Sequence, residues 1–312
     1  MNKPKIPPLV AILIGVISVS TSAILVKLAD ADSGVVAFYR MLFSVLLMMP
    51  SFLMYSREEI FNIVRKDWIF SIVAGIFLAF HFILWFESLR YTSVASSTVL
   101  VTLQPLFAIA GTYFCFKEPI AYKTVISGMI AIAGSVLISW GDFHVGGMAF
   151  YGDILALIAC ALVTGYMLFG QEVRKRVSLT TYTIIVYTAS TITLFFYVLF
   201  KGESFGSYPM MSWVWFALLA IVPNLLGHNL FNWAIKWVSA NVISIAILFE
   251  PVGASILAYF VFNEHLVVTQ VMGGAIVIIG IALFVIDESK IKNYFKKTVD
   301  LLKKISYINI CR

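Results

Sequence analysis

Residues 99–118, VLVTLQPLFAIAGTYFCFKE, and residues 245–264, IAILFEPVGASILAYFVFNE, are versions of one another displaced by 146 positions. The displacement holds without a gap from 75–140 onto 221–286, and it sets Pro105 on Pro251, Glu118 on Glu264, Gly128 on Gly274 and Gly134 on Gly280. Both copies are almost wholly apolar, so the duplicated unit reads as a set of membrane helices rather than as a soluble domain.

Composition supports the same solvent. Hydrophobic residues make up 61% of the 312, charged residues 12%, and mean hydropathy is +0.96, outside the range of water-soluble globular chains. A hydrocarbon core of about 30 Å takes about 20 residues of helix to cross. Ten such stretches occur, at roughly 9–29, 34–55, 68–89, 94–115, 121–140, 151–170, 180–200, 212–235, 241–262 and 266–286. The first follows Lys3 and Lys5 but exceeds a signal-peptide core and precedes no small-residue cleavage site, so it reads as a retained span. Cys115, Cys160 and Cys311 stand too far apart to imply a disulfide framework or a zinc site.

Charge sets an expected orientation. With a cytoplasmic amino terminus, 18 of the 22 Lys and Arg residues fall on the inner side, leaving only Lys27, Arg40, Arg90 and Lys201 outside or in outer span ends. Each copy holds five spans, an odd number, so the second copy lies upside down relative to the first. The expected fold is therefore an all-α integral membrane protein with ten transmembrane helices in two inverted five-helix repeats, 1–145 and 146–289. The divide is the polar stretch Gly141 to Gly147, and a basic amphipathic cytoplasmic tail, 290–312, lies on anionic lipid. The expected location is the cell membrane, with both termini cytoplasmic. Lipid and a small solute are the expected partners and nucleic acid is not; oligomeric state is open.

Polar groups inside spans are costly and point inward. The eighth span carries Asn224, His228 and Asn232 on one helical face, with Trp233 beside them, and its counterpart, the third span, carries His81, Trp85 and Ser88. Together with the hydroxyl pair Thr98 and Thr102 these are candidate lining of a central cavity; the plainer alternative is hydrogen bonding between helices. Pro105 and Pro251 sit mid-span at equivalent positions, where each removes a backbone donor and breaks the helix. Glu250, whose counterpart is Gln104, is an acid placed near the membrane centre and a candidate proton carrier. Arg40, placed close to the outer face, either attracts a carboxylate or snorkels to the interface.

The run 85–105 (WFESLRYTSVASSTVLVTLQP), Lys27, Arg40, Phe116-Lys117-Glu118, Gly152-Asp153, Phe249-Glu250-Pro251 and Phe262-Asn263-Glu264 resemble an EamA-type transporter of the drug/metabolite transporter superfamily. The resemblance covers 9–286. It implies ten spans in inverted repeats and movement of amino acids, small metabolites or toxic cations through a central cavity by alternating access, with no cofactor. One departure is that the glycine usual before the acid of the family's Gly-Glu pair is Lys117 in one half and Asn263 in the other.

Other classes fit the sequence less well. No His-Glu-x-x-His, Gly-x-Ser-x-Gly, P-loop or acid-rich prenyl-diphosphate motif occurs, and the lone pair Asp30 and Asp32 suits a turn, so catalysis and metal binding are not expected. A channel or receptor bundle stays open because a bundle alone does not determine function. Among transporters, export of an amino acid or similar metabolite is favoured over multidrug efflux of lipophilic cations. The first span offers Ser18, Ser20, Thr21 and Ser22 where cation carriers place an acid. Glu250 keeps the cation alternative.

Overall fold

The computed structural model describes residues 6–117, 122–138, 140, 147–263 and 267–285. The tail 290–312, most of the divide 141–147, Glu118, Glu264 and Cys311 lie outside the described residues.

Among the described residues the chain is helical throughout, with no strand. Eight segments are long and apolar enough to cross a membrane: α1 (Pro8–Ala29), α2 (Ser33–Tyr55), α3 (Arg65–Tyr91), α4 (Val94–Phe114), α6 (Met148–Val173), α7 (Leu179–Lys201), α8 (Met210–Ala234) and α9 (Ala240–Phe262). Two apolar helices are shorter, α5 (Tyr122–Ile138) and α10 (Val268–Leu283). Helix starts follow local chemistry. Pro8 is the first residue of α1, where no amide donor is needed, Pro209 is the N-cap of α8, and the hydroxyls of Ser93 and Ser178 accept the amides of Ser96 and Thr181.

Four of these segments are not continuous. α1 divides between Val19 and Ser22, α4 between Val101 and Gln104, and α9 between Ile247 and Glu250. In α8, residues Ala220–His228 are π-helical around Pro223. At the α4 and α9 breaks the chain closes with tighter bonds from Leu103 to the Leu100 carbonyl and from Leu248 to the Ile245 carbonyl. Each break immediately precedes a proline at the second position of the new helix, Pro105 or Pro251.

Packing places α3 along α6 and α7, α2 along α7, α1 along α8, and α5 along α10. The last pair touches through glycine: a Cβ built on Gly134 would lie 2.7 Å from the Val277 amide, and one on Gly280 would lie 2.7 Å from the Ala131 amide. Gly152 plays a similar part at the start of α6, where a Cβ would come within 2.9 Å of the Tyr91 side chain, while its neighbour Asp153 accepts the Ser96 hydroxyl at 3.0 Å. Large apolar side chains such as Leu13, Phe114, Phe196 and Phe260 are exposed, as a lipid-facing surface requires.

Lys117 and Asn263 close α4 and α9 in left-handed conformation, with φ of 53° and 55°. The tight helix end is thus kept in both halves without the glycine. Asn tolerates this region, whereas a lysine there costs on the order of 1 kcal/mol.

Candidate functional site

An enclosed cavity lies where the interrupted helices meet. Val19 and Ser22 flank the α1 break, Val101 and Gln104 the α4 break, and Ile247 and Glu250 the α9 break, and all six line the cavity. His228, which ends the π-helical stretch of α8, adds a fourth discontinuity to the wall. Breaks in membrane helices are tolerated where the chain is buried in protein or borders a cavity, because there the freed backbone groups can find partners.

The remaining wall is aromatic. His81 and Trp85 of α3 stack with ring centroids 5.8 Å apart, His228 stands 6.5 Å from His81 and 6.3 Å from Tyr166 of α6, and Phe231 completes the surround. The space left for the centre of a water molecule is ≈ 20 Å³. That holds about one water, so the cavity as it stands has no room for a metabolite.

Several polar atoms at this site have no protein partner: Trp85 Nε1 and Gln104 Oε1 in the wall, and Arg40 Nε and Nη2 just behind it. Most buried polar groups are satisfied, so these four atoms are exceptions, as are others away from the wall such as Tyr182 Oη and Trp237 Nε1. Glu250 is 6% exposed, and among the described residues no cation stands within 4.0 Å of it.

The sequence-derived candidates divide. His81, Trp85, His228 and Glu250 line the cavity. Thr98 and Thr102 do not; their hydroxyls turn back onto the carbonyls of Val94 and Thr98 within α4, at 2.6 and 2.8 Å, the usual resort of a hydroxyl in a helix. Asn224 donates to Ser44 Oγ at 2.7 Å and so ties α8 to α2. Asn232 accepts the Tyr166 hydroxyl at 2.7 Å, one layer behind the wall, and Trp233 faces Trp237 at 6.4 Å. Ser88 bonds to Ser97 Oγ at 2.5 Å between α3 and α4. Pro105 and Pro251 follow the breaks without lining the cavity themselves.

Arg40 requires a correction. It does not snorkel: its side chain is 0% exposed, with the guanidinium carbon 4.1 Å from the centre of the Phe82 ring and 5.8 Å from that of Phe86. Nη1 donates to Ser22 Oγ at 2.8 Å. Aromatic faces and one hydroxyl supply inside the bundle what the interface would have supplied outside. Three cavity features went unread in the sequence. Ser22 had a signal, the polar run 18–22 inside an apolar span; Gln104 was visible only as the partner of Glu250; Tyr166 looks like any other aromatic of a membrane helix.

Comparison with known proteins agrees with this architecture. The profile of the EamA-like transporter family matches residues 6–140 and again 150–286. An uncharacterized transporter of Archaeoglobus fulgidus is 24% identical over 281 residues, covering 88% of this chain and 94% of its own. The uncharacterized transporter YyaM of Bacillus subtilis is 27% identical, covering 70% and 73%, and the riboflavin transporter ImpX of Fusobacterium nucleatum is 22% identical, covering 76% and 85%. A solved crystal structure superposes with a TM-score of 0.72 over 89% of this chain and 96% of its own at 16% identity, which speaks for the fold alone. With two matches that together span nearly the whole chain, this multi-pass membrane protein belongs to the EamA-like transporter family.

Proposed function

We propose that the chain is a secondary transporter that exports an amino acid or similar small metabolite across the cell membrane by alternating access around the enclosed cavity. The observation that carries this reading is the convergence of the α1, α4 and α9 breaks and the π-helical stretch of α8 on one occluded space walled by polar and aromatic groups. Discontinuous helices around a midplane site are how membrane carriers expose backbone and side-chain groups to a solute. Amide, imidazole and indole groups suit a small solute with both polar and apolar parts.

The mechanism is rocking of one five-helix unit, 1–145, against the other, 146–289. Packing supports such a pair of inverted units. α3 with α6 is answered by α8 with α1, and α2 with α7 and α5 with α10 map onto themselves under exchange of the units. Gly134 meets residue 277 and Gly280 meets residue 131, which are equivalent contacts at the 146-residue displacement. The charge bias puts both termini in the cytoplasm. Labelling of single cysteines at positions 146 and 176 tests the antiparallel plan: reagent from outside should reach 146 and not 176, and equal access to both would end it.

Glu250 carries the coupling proton in this reading, as an acid in the cavity wall. Glu250→Gln should abolish the dependence of solute flux on an imposed pH gradient; an unchanged dependence removes Glu250 from that role. Saturable uptake by proteoliposomes containing the purified chain tests the carrier itself, and steady ohmic current would replace it with a pore. The same acid favours the second reading, efflux of lipophilic cations, which competition of quaternary ammonium ions for the flux would support.

A further inference from the structure

We infer that the solute bears a carboxylate and that Arg40 receives it through the paired edge formed by Nε and Nη2. The inference rests on the reading of this chain as a solute carrier and names the class of solute. A guanidinium has five N–H donors in one plane. In Arg40 only Nη1 has a protein partner, the Ser22 hydroxyl at 2.8 Å, although the side chain is 0% exposed. Nε and Nη2 have none, and among the described residues no carboxylate lies within 4.0 Å. These two atoms stand on the same side of the guanidinium, and together they make the side-on fork that fits the two oxygens of a carboxylate.

The surroundings favour an approach in the plane. Phe82, with its ring centre 4.1 Å from the guanidinium carbon, covers a flat face, and Phe86 stands at 5.8 Å. Ser22, the residue that holds Nη1, lines the cavity and opens the second segment of the broken α1. Arg40 therefore stands one side chain behind the wall, beside the α1 interruption, and the proposed site is complete only when the cavity widens enough to expose the fork. A buried charge with one hydrogen bond is expensive to keep unless it is used.

The titratable groups facing this space are His81, Tyr166, His228 and Glu250, beside the uncharged polar groups of Ser22, Trp85 and Gln104. One arginine opposed by one acid suits a solute of balanced charge, with its carboxylate toward Arg40 and its ammonium toward Glu250. A phosphate dianion would find a single guanidinium and face the Glu250 carboxylate, which argues for carboxylate over phosphate.

Thermal shifts of the purified full chain against matched probes test this. One series is phenylalanine, 3-phenylpropionate, phenethylamine and phenyl phosphate; the second is leucine, 4-methylvalerate and isoamylamine. The carboxylate-bearing members should stabilise the protein and the amines should not. Arg40→Lys, which keeps the charge and loses the fork, should weaken binding of the carboxylates at least about tenfold. Equal or stronger shifts with the amines or with phenyl phosphate, or unchanged carboxylate affinity in Arg40→Lys, would overturn the inference. Should that variant not fold, the probe series on the natural protein decides alone. If the carboxylates cross proteoliposomes at the same rate with Lys as with Arg at position 40, the carrier stands and the carboxylate site falls. If no probe binds or crosses, both fall.

Discussion

Two polar clusters in this protein are built on opposite terms. At one end of the bundle every charge that ties the halves together is matched: Asp67 of α3, 1% exposed, receives Arg176 through two bonds of 2.9 and 2.8 Å. Glu172 gathers Lys175 at 2.9 Å, Arg176 at 3.0 Å and Lys66 at 3.7 Å. Glu59 accepts the Ser178 amide at 2.7 Å, the Ser178 hydroxyl and the Thr181 hydroxyl at 2.5 Å, capping α7 from the short helical turn Glu59–Asn62. In the middle of the bundle, by contrast, Arg40, Trp85 and Gln104 keep donors and acceptors without protein partners. A matched cluster holds a shape; an unmatched one in a cavity is available to something else. In the proposed orientation the matched cluster closes the cytoplasmic end, and the proposed solute site is the part left incomplete.

Asn232 joins the two. Its side chain accepts from Tyr166 in the cavity wall, and its backbone carbonyl accepts from Arg174 Nε at 2.9 Å. Arg174 is buried next to the clamp, donates a further short bond to the Val177 carbonyl, and has its pKa lowered by that burial to about 10, so it remains a cation at neutral pH.

The contrast can be broken most sharply at Arg176. Removing it leaves Asp67 buried and unpaired, and Arg176→Ala should cost about 2 kcal/mol, discounted from the fully buried case because the arginine itself is partly exposed. Chemical denaturation in detergent would measure it, and a loss below about 0.5 kcal/mol, the size of an ordinary surface pair, would show that the clamp does not hold the halves. Asn232→Ala comes next. It orphans the Tyr166 hydroxyl at a cost of about 1 to 2 kcal/mol and should lower stability and solute flux together; loss of only one of the two would show that Asn232 does not link the clusters.

Glu59→Gln should cost about 1 kcal/mol as a weakened helix cap, and it also carries a pH signature. Partial burial raises the Glu59 pKa, but the bonds from Ser178 and Thr181 together with the nearby Arg174 charge outweigh it and hold the group below its ordinary value. A carboxylate depressed in the folded state contributes stability above its unfolded value, about 4.3, and loses it as pH falls through the folded value. The natural protein should therefore lose melting temperature more steeply than Glu59→Gln as pH drops below that point, and parallel curves would discard the cap as an acid-sensitive element.

Smallest in stability and plainest in meaning is Trp85→Phe. It deletes an indole N–H that has no protein partner and part of a buried ring, so folding should change by no more than about 1 kcal/mol. Solute flux should nevertheless fall several-fold, because the wall loses a donor and part of its surface. A large stability loss with normal flux would reverse the assignment of the two clusters.

Much of this was legible in residue order. The apolar runs, the 146-residue displacement and the paired prolines are properties of local composition and spacing, and they determined a duplicated helical membrane protein because hydrocarbon admits few other structures for such a chain. His81, Trp85, His228 and Glu250 could be placed inward, since polar groups avoid lipid. What spacing could not supply was the partner of each polar group. Thr98 and Thr102 bond within their own helix, Asn224 is taken by Ser44, and Arg40 lies behind Ser22 with Phe82 against its guanidinium. Those choices depend on the rotation and contact of helices far apart in the chain, and only the assembled bundle decides which polar atoms are used up by protein and which remain for a solute.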